Sequence, residues 1–377
     1  MPETKTLGSL SRRGFLKGTA AAAAGLAVSG LALPQAVQAA TGQELCTLLD
    51  LSRCIGCEAC VDGCRDAWQA TVPDPVANIP QPFPERVPIE DWSRRKDVQD
   101  RLTPYNFLYV EHLEVPHKGQ EQELHIPRRC MHCVNAPCTN LCPFGACQTE
   151  SNGVTHIDQD VCLGGAKCKT VCPWHIPQRQ SGVGIYLNLM PQMAGNGVMF
   201  KCHRCLPLLE KGQQPRCIEV CPQKVQSIGP RDGQLKKAEA LARQMAVKDG
   251  APEDKWGDYV YGLKENGGTG TIYVAPMPFS EINAAIMKDH QEKAKEERAA
   301  AAQAGLKPEQ AGLLGNLGRP PMGRVANSME NAEKLTLALM IAPVAGLAAG
   351  LGKFLAKVGK LTQKPVAPAS KQEGGRS

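Results

Sequence analysis

Cysteine dominates the chemistry that this sequence can offer. Seventeen of its 377 residues are cysteine, and sixteen of them lie between positions 54 and 221. Fifteen fall into four groups: Cys54, Cys57, Cys60 and Cys64 in group one; Cys130, Cys133, Cys138 and Cys142 in group two; Cys162, Cys168 and Cys172 in group three; Cys202, Cys205, Cys217 and Cys221 in group four. Such density fits a disulfide scaffold, zinc sites or iron–sulfur clusters. The odd total is awkward for an all-disulfide protein.

The internal spacing favours iron–sulfur clusters. Group one reads C-x2-C-x2-C-x3-C, a run in which three thiolates bind one cubane cluster and the fourth binds its neighbour. A proline follows the last cysteine of groups two, three and four and restricts the backbone where the chain turns away. In group one Arg65 takes this place. Four such groups predict four clusters.

Zinc and haem fit these cysteines less well. A closed thiolate zinc site could use group four, but the three-cysteine ladder of group one does not suit tetrahedral zinc. Covalent haem needs C-x-x-C-H, and no cysteine pair of the chain is followed by histidine. His132 and His203 lie inside cysteine loops, where a histidine is more often a donor near the metal than a ligand.

Separation along the chain predicts which groups share clusters. Groups two and three are close enough in sequence to form a compact two-cluster unit, so we expect them to exchange their fourth cysteines. Groups one and four then pair by elimination. The predicted ligand sets are set one, Cys54, Cys57, Cys60 and Cys221; set two, Cys64, Cys202, Cys205 and Cys217; set three, Cys130, Cys133, Cys138 and Cys172; and set four, Cys142, Cys162 and Cys168.

Set four lacks one thiolate. In "VCLGGAKCKTVCPW" the cysteines keep the register of a ferredoxin run, but Gly165 holds the second cysteine position. We predict [4Fe-4S] clusters in sets one to three and a [3Fe-4S] cluster in set four. Two alternatives are a [4Fe-4S] cluster with water or another noncysteine ligand, and recruitment of Cys147. The ordinary interpretation makes Cys147 a buried thiol beside the cluster and Cys46 a core residue.

The N-terminal segment predicts export. The stretch "SRRGFLK" precedes an uncharged, alanine-rich run and then "VQAA", whose small residues suit signal cleavage. The twin arginine, Arg12–Arg13, is typical of the Tat route. We therefore predict a Tat signal peptide over 1–39. The resemblance to Tat substrates implies folding before export, so the cysteines need not become disulfides in the periplasm.

The C-terminal segment predicts a membrane anchor. Residues 335–352 form an uncharged, weakly hydrophobic run that meets the lower limit for a spanning helix. The basic tail, 353–377, predicts a cytoplasmic C-terminus by the positive-inside rule, which leaves the cysteine-rich body in the periplasm. The chain is thus expected to pass once through the inner membrane.

The charge of the body excludes one class of partner. The net charge is +6, of which the signal contributes +3 and the basic tail +5, so the remainder carries −2. Because the basic excess belongs to the two ends, nucleic-acid binding gains no support and is not expected.

Hydrophobic patterning between the ends predicts an α+β body. We expect a four-cluster domain over 40–262 and an extension of strand, helix and linker over 263–334. The predicted elements are strands at Cys46–Leu49, Phe107–Val115 and 269–276, helices over 232–250 and 281–304, and an irregular, proline-rich surface insertion over 73–106.

The motifs resemble a known family. "CIGCEACVDGC", "CMHCVNAPCTNLCP" and "CIEVCP" are similar to the four-cluster ferredoxin-like subunits of membrane-bound periplasmic oxidoreductases, over about residues 46–262. Within that family the chain resembles the ferredoxin-like subunit of the high-molecular-weight cytochrome c (Hmc) transmembrane complex, or the similar periplasmic hydrogenase subunit. The resemblance implies tandem bacterial-ferredoxin-like modules with long loop insertions, and a linear chain of clusters that passes single electrons.

Two functions follow as expectations. The first is an electron-transfer subunit between a periplasmic cytochrome c or hydrogenase-type partner and an integral membrane subunit, with no catalytic residues because the clusters carry the chemistry. The second is an iron–sulfur enzyme whose open iron near Gly165 binds substrate. A structural disulfide protein is a third class, which the Tat signal argues against.

Overall fold

The computed structural model describes residues 43–303 and 318–330. Within these ranges the strands are β1 Leu45–Asp50, β2 Tyr109–His117, β3 Gln120–Arg128, β4 Cys147–Thr149, β5 Thr155–Ile157, β6 Gln178–Gln180, β7 Val198–Phe200, β8 Gln226–Pro230, β9 Val260–Tyr261 and β10 Thr271–Val274. The helices are α1 Ala59–Trp68, α2 Pro137–Asn140, α3 Lys167–Val171, α4 Tyr186–Leu189, α5 Leu206–Leu209, α6 Arg216–Glu219, α7 Arg231–Lys248 and α8 Phe279–Gln303. The body is therefore α+β, with short helices where the cysteines lie.

A four-stranded sheet ties the two ends of the body together. Its order is β8-β1-β10-β9, and β1 runs antiparallel to β8 but parallel to β10. Helix α7 covers one face with Ala238 and Ala242, which pack in one core with Cys46 and Leu48 of β1. These two alanines lie one helical turn apart, so their small side chains let the helix approach the sheet closely. Strand β1 thus lies between two strands, β8 and β10, that follow it much later in the sequence.

The β2–β3 hairpin and helix α8 form a second layer. The hairpin turn has two residues, Lys118 and Gly119, with positive φ of 51° and 78°, as a tight hairpin of right-handed twist requires. Helix α8 packs against β2. Beneath it the buried carboxylate of Glu111 accepts a hydrogen bond from Arg128 at 2.7 Å and another from His290. This buried triad joins both strands to the helix.

The insertion over 73–106 is irregular, as predicted, and it packs closely. The Trp92 backbone N–H donates to Gln180 Oε1 at 2.9 Å, and the Phe83 N–H donates to Asn196 Oδ1 at 2.8 Å. Trp92 and Tyr105 are buried. The insertion therefore covers the β6–β7 ribbon beside group three.

Most predicted elements are found with small shifts in their ends. The structure has β1 at Leu45–Asp50, β10 at Thr271–Val274, and the helices α7 and α8 close to the predicted ranges. The strand predicted at Phe107–Val115 lies two residues further on, because the turn after His117 sets the pairing.

The predicted signal peptide and the predicted membrane span lie outside the described residues. Among the helices that the structure describes, none is long and apolar enough to cross a membrane.

Candidate iron–sulfur centres

All seventeen cysteines lie in the described part of the chain, and every one is a free thiol. The structure therefore contains no disulfide scaffold. Their positions and surroundings show which thiols lie together.

The members of set one lie around one small cavity. Cys54, Cys57, Cys60 and Cys221 all line it. Burial raises the pKa of Cys54, and the negative charges of Cys221 and Cys57 raise it further. Cys57 is exposed, so this set lies at the surface.

Set two shares a helix with set one. Cys60 and Cys64 lie one turn apart on the buried face of α1. Burial raises the pKa of Cys64 well above its usual value, and the charges of Cys202, Cys217 and Cys205 add to the effect. Gly63 lets α6 come close, because a Cβ at this position would lie 2.9 Å from Val220 Cγ2.

Set three gathers thiols from groups two and three. Burial raises the pKa of Cys133, and the neighbouring charges of Cys172, Cys130 and Cys138 raise it further. Burial and the charges of Cys138 and Cys130 likewise raise the pKa of Cys172 to about 12.

Set four includes the loop of group three, which lacks the second cysteine of a complete group. Burial raises the pKa of Cys168 to about 12, together with the charges of Cys162, Cys138 and Cys142. The nearest heavy atom to a Cβ built on Gly165 is Phe144 Cε2, at 4.0 Å. The loop therefore has room for a side chain at the position where it lacks a ligand.

Cys147 and Cys46 have different surroundings. The thiols of Cys147 and Cys138 interact closely, which lowers the pKa of Cys138 and raises that of Cys147. This places Cys147 beside set three, with Cys168 also near it. Cys46 is fully buried on β1 against α7.

The sets follow one another in a line. Helix α1 joins sets one and two through Cys60 and Cys64. Cys130 lies close enough to Cys202 for its charge to raise the pKa of Cys202, so set three lies next to set two. Cys138 likewise raises the pKa of Cys168, so set three also lies next to set four. The structure thus brings together the members of each predicted set, while iron binding by them stays a prediction.

Several N–H groups point at the cysteine sulfurs. The backbone N–H groups of His132, Arg204 and Val225 each donate at 3.4 Å, to Cys130, Cys202 and Cys221 respectively. The Trp68 indole Nε1–H donates to Cys205 Sγ at 3.1 Å. Hydrogen bonds of this kind tune the reduction potential of an iron–sulfur cluster.

His132 lies between sets two and three. Its Nδ1 accepts the Thr155 backbone N–H at 3.1 Å, so the neutral ring carries its proton on Nε2, which lies 3.9 Å from Cys202 Sγ. Burial lowers the pKa of His132 well below its usual value. The sequence-based assignment of a donor near the metal agrees with this placement. His203 packs edge-on against Trp68, with ring centroids 4.5 Å apart.

Three buried cations near the thiols were not singled out from the sequence. Arg129 Nη1 donates to Cys217 Sγ at 2.8 Å, and Lys201 Nζ lies 3.6 Å from Cys130 Sγ. The guanidinium of Arg204 donates to the backbone oxygens of Leu45 and Gly270. Each cation directly precedes a cysteine in sequence, which is the signal that would have found it.

The residues fit iron–sulfur clusters. Free thiols, most of them buried or half-buried, lie in groups of four or three, with N–H donors and cations around them. Within the described residues, Arg129 Nη2 is buried without a hydrogen-bond acceptor. A cluster would supply sulfur acceptors and negative charge of the kind this guanidinium lacks.

Comparison with known proteins agrees with this chemistry. Residues 122–231 and residues 53–146 each match a family of 4Fe-4S dicluster domains, and residues 9–29 match the twin-arginine translocation signal. The hydrogenase-2 operon protein HybA of Escherichia coli O157:H7 is 30% identical over 315 residues, which cover 74% of this chain and 85% of that protein. The chain belongs to the ferredoxin-like iron–sulfur subunits of periplasmic oxidoreductase complexes.

Two other relatives of this iron–sulfur subunit each match about half of the chain. The thiosulfate reductase electron transfer subunit PhsB of Salmonella typhi is 31% identical over 186 residues, covering 49% of this chain and 75% of that protein. The B subunit of the anaerobic dimethyl sulfoxide reductase of Escherichia coli K12 is 27% identical over 194 residues, covering 52% of this chain and 77% of that protein. The family identified from the motifs is confirmed.

Proposed function

We propose that the protein is an electron-transfer subunit that passes single electrons along four iron–sulfur clusters, between a periplasmic redox partner and an integral membrane subunit. The observation that carries this proposal is the linear succession of four thiol sets through one body. When bound, the clusters supply one-electron redox chemistry. The chain itself would hold them and tune them through N–H donors.

The proposed ligands are the four sets of cysteines. Their mutual proximity supports this assignment, since each set draws on two groups, and those of sets one and two are distant in sequence. Burial raises the pKa of most of these thiols, so iron binding would displace their protons. Cluster insertion is therefore favoured at higher pH.

For set four we propose a [3Fe-4S] cluster held by Cys142, Cys162 and Cys168. Support comes from Gly165, which cannot ligate iron, and from Cys147, whose thiol interacts with Cys138 of set three. The open space beside Gly165 keeps a [4Fe-4S] cluster with a water ligand as the second candidate.

We further propose that the body is periplasmic and attached to the inner membrane by residues 335–352, with a cytoplasmic C-terminus. The match to the Tat signal supports export of the body. The name of the relative HybA supports a hydrogenase-type subunit as the periplasmic partner, and a periplasmic cytochrome c is the alternative.

Iron and acid-labile sulfide analysis tests the proposal, followed by redox-titrated EPR of the anaerobically purified protein. We expect about four clusters per chain, one of them giving the oxidised [3Fe-4S] signal. Little acid-labile sulfide would contradict cluster binding. Substrate turnover by the isolated protein would favour the enzyme instead of the carrier.

A further inference from the structure

Three buried cations lie between sets two and three, in the middle of the line of thiol sets. Arg129, Lys201 and Arg204 expose only 4%, 5% and 4% of their surface. In the described ranges none of the three forms an ion pair with Asp or Glu. Burying an unpaired charge is costly, so something at this place has to supply the opposite charge.

The partners of Arg129 and Lys201 are cysteine sulfurs. Arg129 Nη1 donates to Cys217 Sγ of set two at 2.8 Å, while its Nη2 has no acceptor among the described residues. Lys201 Nζ lies 3.6 Å from Cys130 Sγ of set three and donates to Thr155 Oγ1 at 3.0 Å. One cation therefore contacts set two and the other set three.

The side chain of Arg204 adds charge without donating to a thiol. Its guanidinium donates to the backbone oxygens of Leu45 at 2.8 Å and Gly270 at 2.7 Å. These neutral partners hold the group in place but leave its charge unbalanced. An arginine side chain does not lose its proton in proteins, so the guanidinium of Arg204 is charged at neutral pH.

The buried cations elsewhere are paired. Arg128 forms an ion pair with Glu111 at 2.7 Å. Beside set four, Lys169 and Arg179 share the carboxylate of Glu90, at 3.3 Å and 3.8 Å, which leaves one positive charge in excess there. At the two inner sets three buried cations lack any carboxylate among the described residues, so the larger excess of positive charge lies there.

We propose that Arg129, Lys201 and Arg204 form a fixed positive centre that raises the reduction potentials of the two inner clusters, those of sets two and three. This rests on the proposed function. Reduction adds one electron, delivered by a neighbouring reduced cluster, without forming or breaking a bond or moving a proton. The added negative charge is stabilised by buried cations, whose field is weakly screened in a low-dielectric interior. The centre therefore holds electrons in the middle of the line, away from the exposed Cys57 end.

The test is a redox titration by EPR on the full, cluster-loaded protein. We expect Lys201→Met and Arg129→Met to lower the midpoint potentials of the inner clusters, and Lys201→Arg to restore the wild-type value. Arg204→Gln isolates the charge, because no thiol loses a hydrogen bond. Arg216→Met is the matched control: this half-exposed cation also adjoins Cys217 in sequence but forms an ion pair with Glu219, so no shift is expected.

Iron and acid-labile sulfide are measured on every variant. Unchanged inner potentials in fully loaded neutral variants would overturn the inference. The inference would also be overturned if Lys201→Arg lowered the inner potentials as much as Lys201→Met does, because the positive charge would then not matter. If Lys201→Met and Arg129→Met lose iron, the midpoint potentials of the inner clusters in Arg204→Gln test the inference. Loss of iron from all three neutral variants would also overturn it, by showing a role in assembly. Absence of clusters from the wild-type protein would contradict the proposed function instead.

Discussion

Gly56 and Gly164 hold the same left-handed backbone in two different cysteine loops, with φ of 66° and 62°. Two residues later Glu58 and Ala166 repeat the agreement, with φ of 56° and 53°. Group three therefore keeps the loop of group one around the place where Gly165 stands instead of a cysteine. The gap is a change of one ligand in an intact loop.

Restoring that ligand should change the type of cluster. We predict that Gly165→Cys replaces the oxidised [3Fe-4S] EPR signal with a [4Fe-4S] cluster and adds one iron per chain. The reason is steric freedom, since only Phe144 Cε2, at 4.0 Å, comes near a Cβ at this position. Iron analysis and EPR before and after reduction measure the change. An unaltered [3Fe-4S] signal would contradict it.

The neighbouring glycine supplies the control. A Cβ at Gly164 would lie 2.0 Å from the backbone oxygen of Asn196, and the left-handed backbone alone disfavours alanine by about 1–2 kcal/mol. Gly164→Ala should therefore lower the thermal stability and the iron content, whereas Gly165→Ala should lower neither.

The two cysteines outside the sets should be dispensable for iron. We predict that Cys147→Ala keeps the full iron and sulfide content, while the loss of the thiol that interacts with Cys138 shifts the potential of the set-three cluster. Cys46→Ala, which removes a thiol from the core behind β1, should leave both content and potentials unchanged. Loss of the set-four EPR signal in Cys147→Ala would show that Cys147 is a ligand.

Trp68 should tune the cluster of set two. Its Nε1–H donates to Cys205 Sγ at 3.1 Å, and a donor to sulfur stabilises the more negative, reduced state. We predict that Trp68→Phe lowers the midpoint potential of this cluster while iron content is retained. EPR-monitored titration measures the shift. A Phe107→Leu variant, which alters the same aromatic group without removing a donor to sulfur, should leave the potential unchanged.

His117 should make stability depend on pH. Burial alone would lower its pKa, but hydrogen bonds to Glu281 at 2.5 Å and Asp249 at 2.8 Å raise it above 6.5. The raised folded-state pKa gives stabilisation that is complete below about 6.5, the unfolded value, and is lost as pH rises through the folded value.

We therefore expect His117→Gln to lower the melting temperature at pH 6 and to lower it less at pH 9. Anaerobic thermal denaturation followed by circular dichroism measures this difference. A constant difference across that range would contradict the prediction.

The sequence predicted much of the site because cysteine spacing is a local property. The expected crossing of groups one with four and two with three agrees with the thiol neighbours in the structure, where Cys54 lies near Cys221 and Cys133 near Cys172. Gly165 could be recognised as a gap from register alone. Helix α7 was likewise predictable from its apolar spacing.

The features of the fold and the site that the sequence did not predict depend on tertiary contacts. No local pattern pairs β1 with β8 and β10, because parallel and antiparallel partners so far apart in sequence leave no periodic trace. Arg129 and Lys201 look like ordinary surface cations beside cysteines, and only the elements that close over them make them buried. Trp68 ends a helix with no sign of the sulfur that it contacts.

The placement of β1 has a consequence for biosynthesis. Both neighbours of this strand, and Cys221 of the proposed first set, leave the ribosome long after β1 itself. Translation must therefore reach the second half of the body before the first cluster can be completed. The export signal is synthesised before the body has folded. Recognition of the signal by the translocase before folding is complete would therefore export an incompletely folded protein.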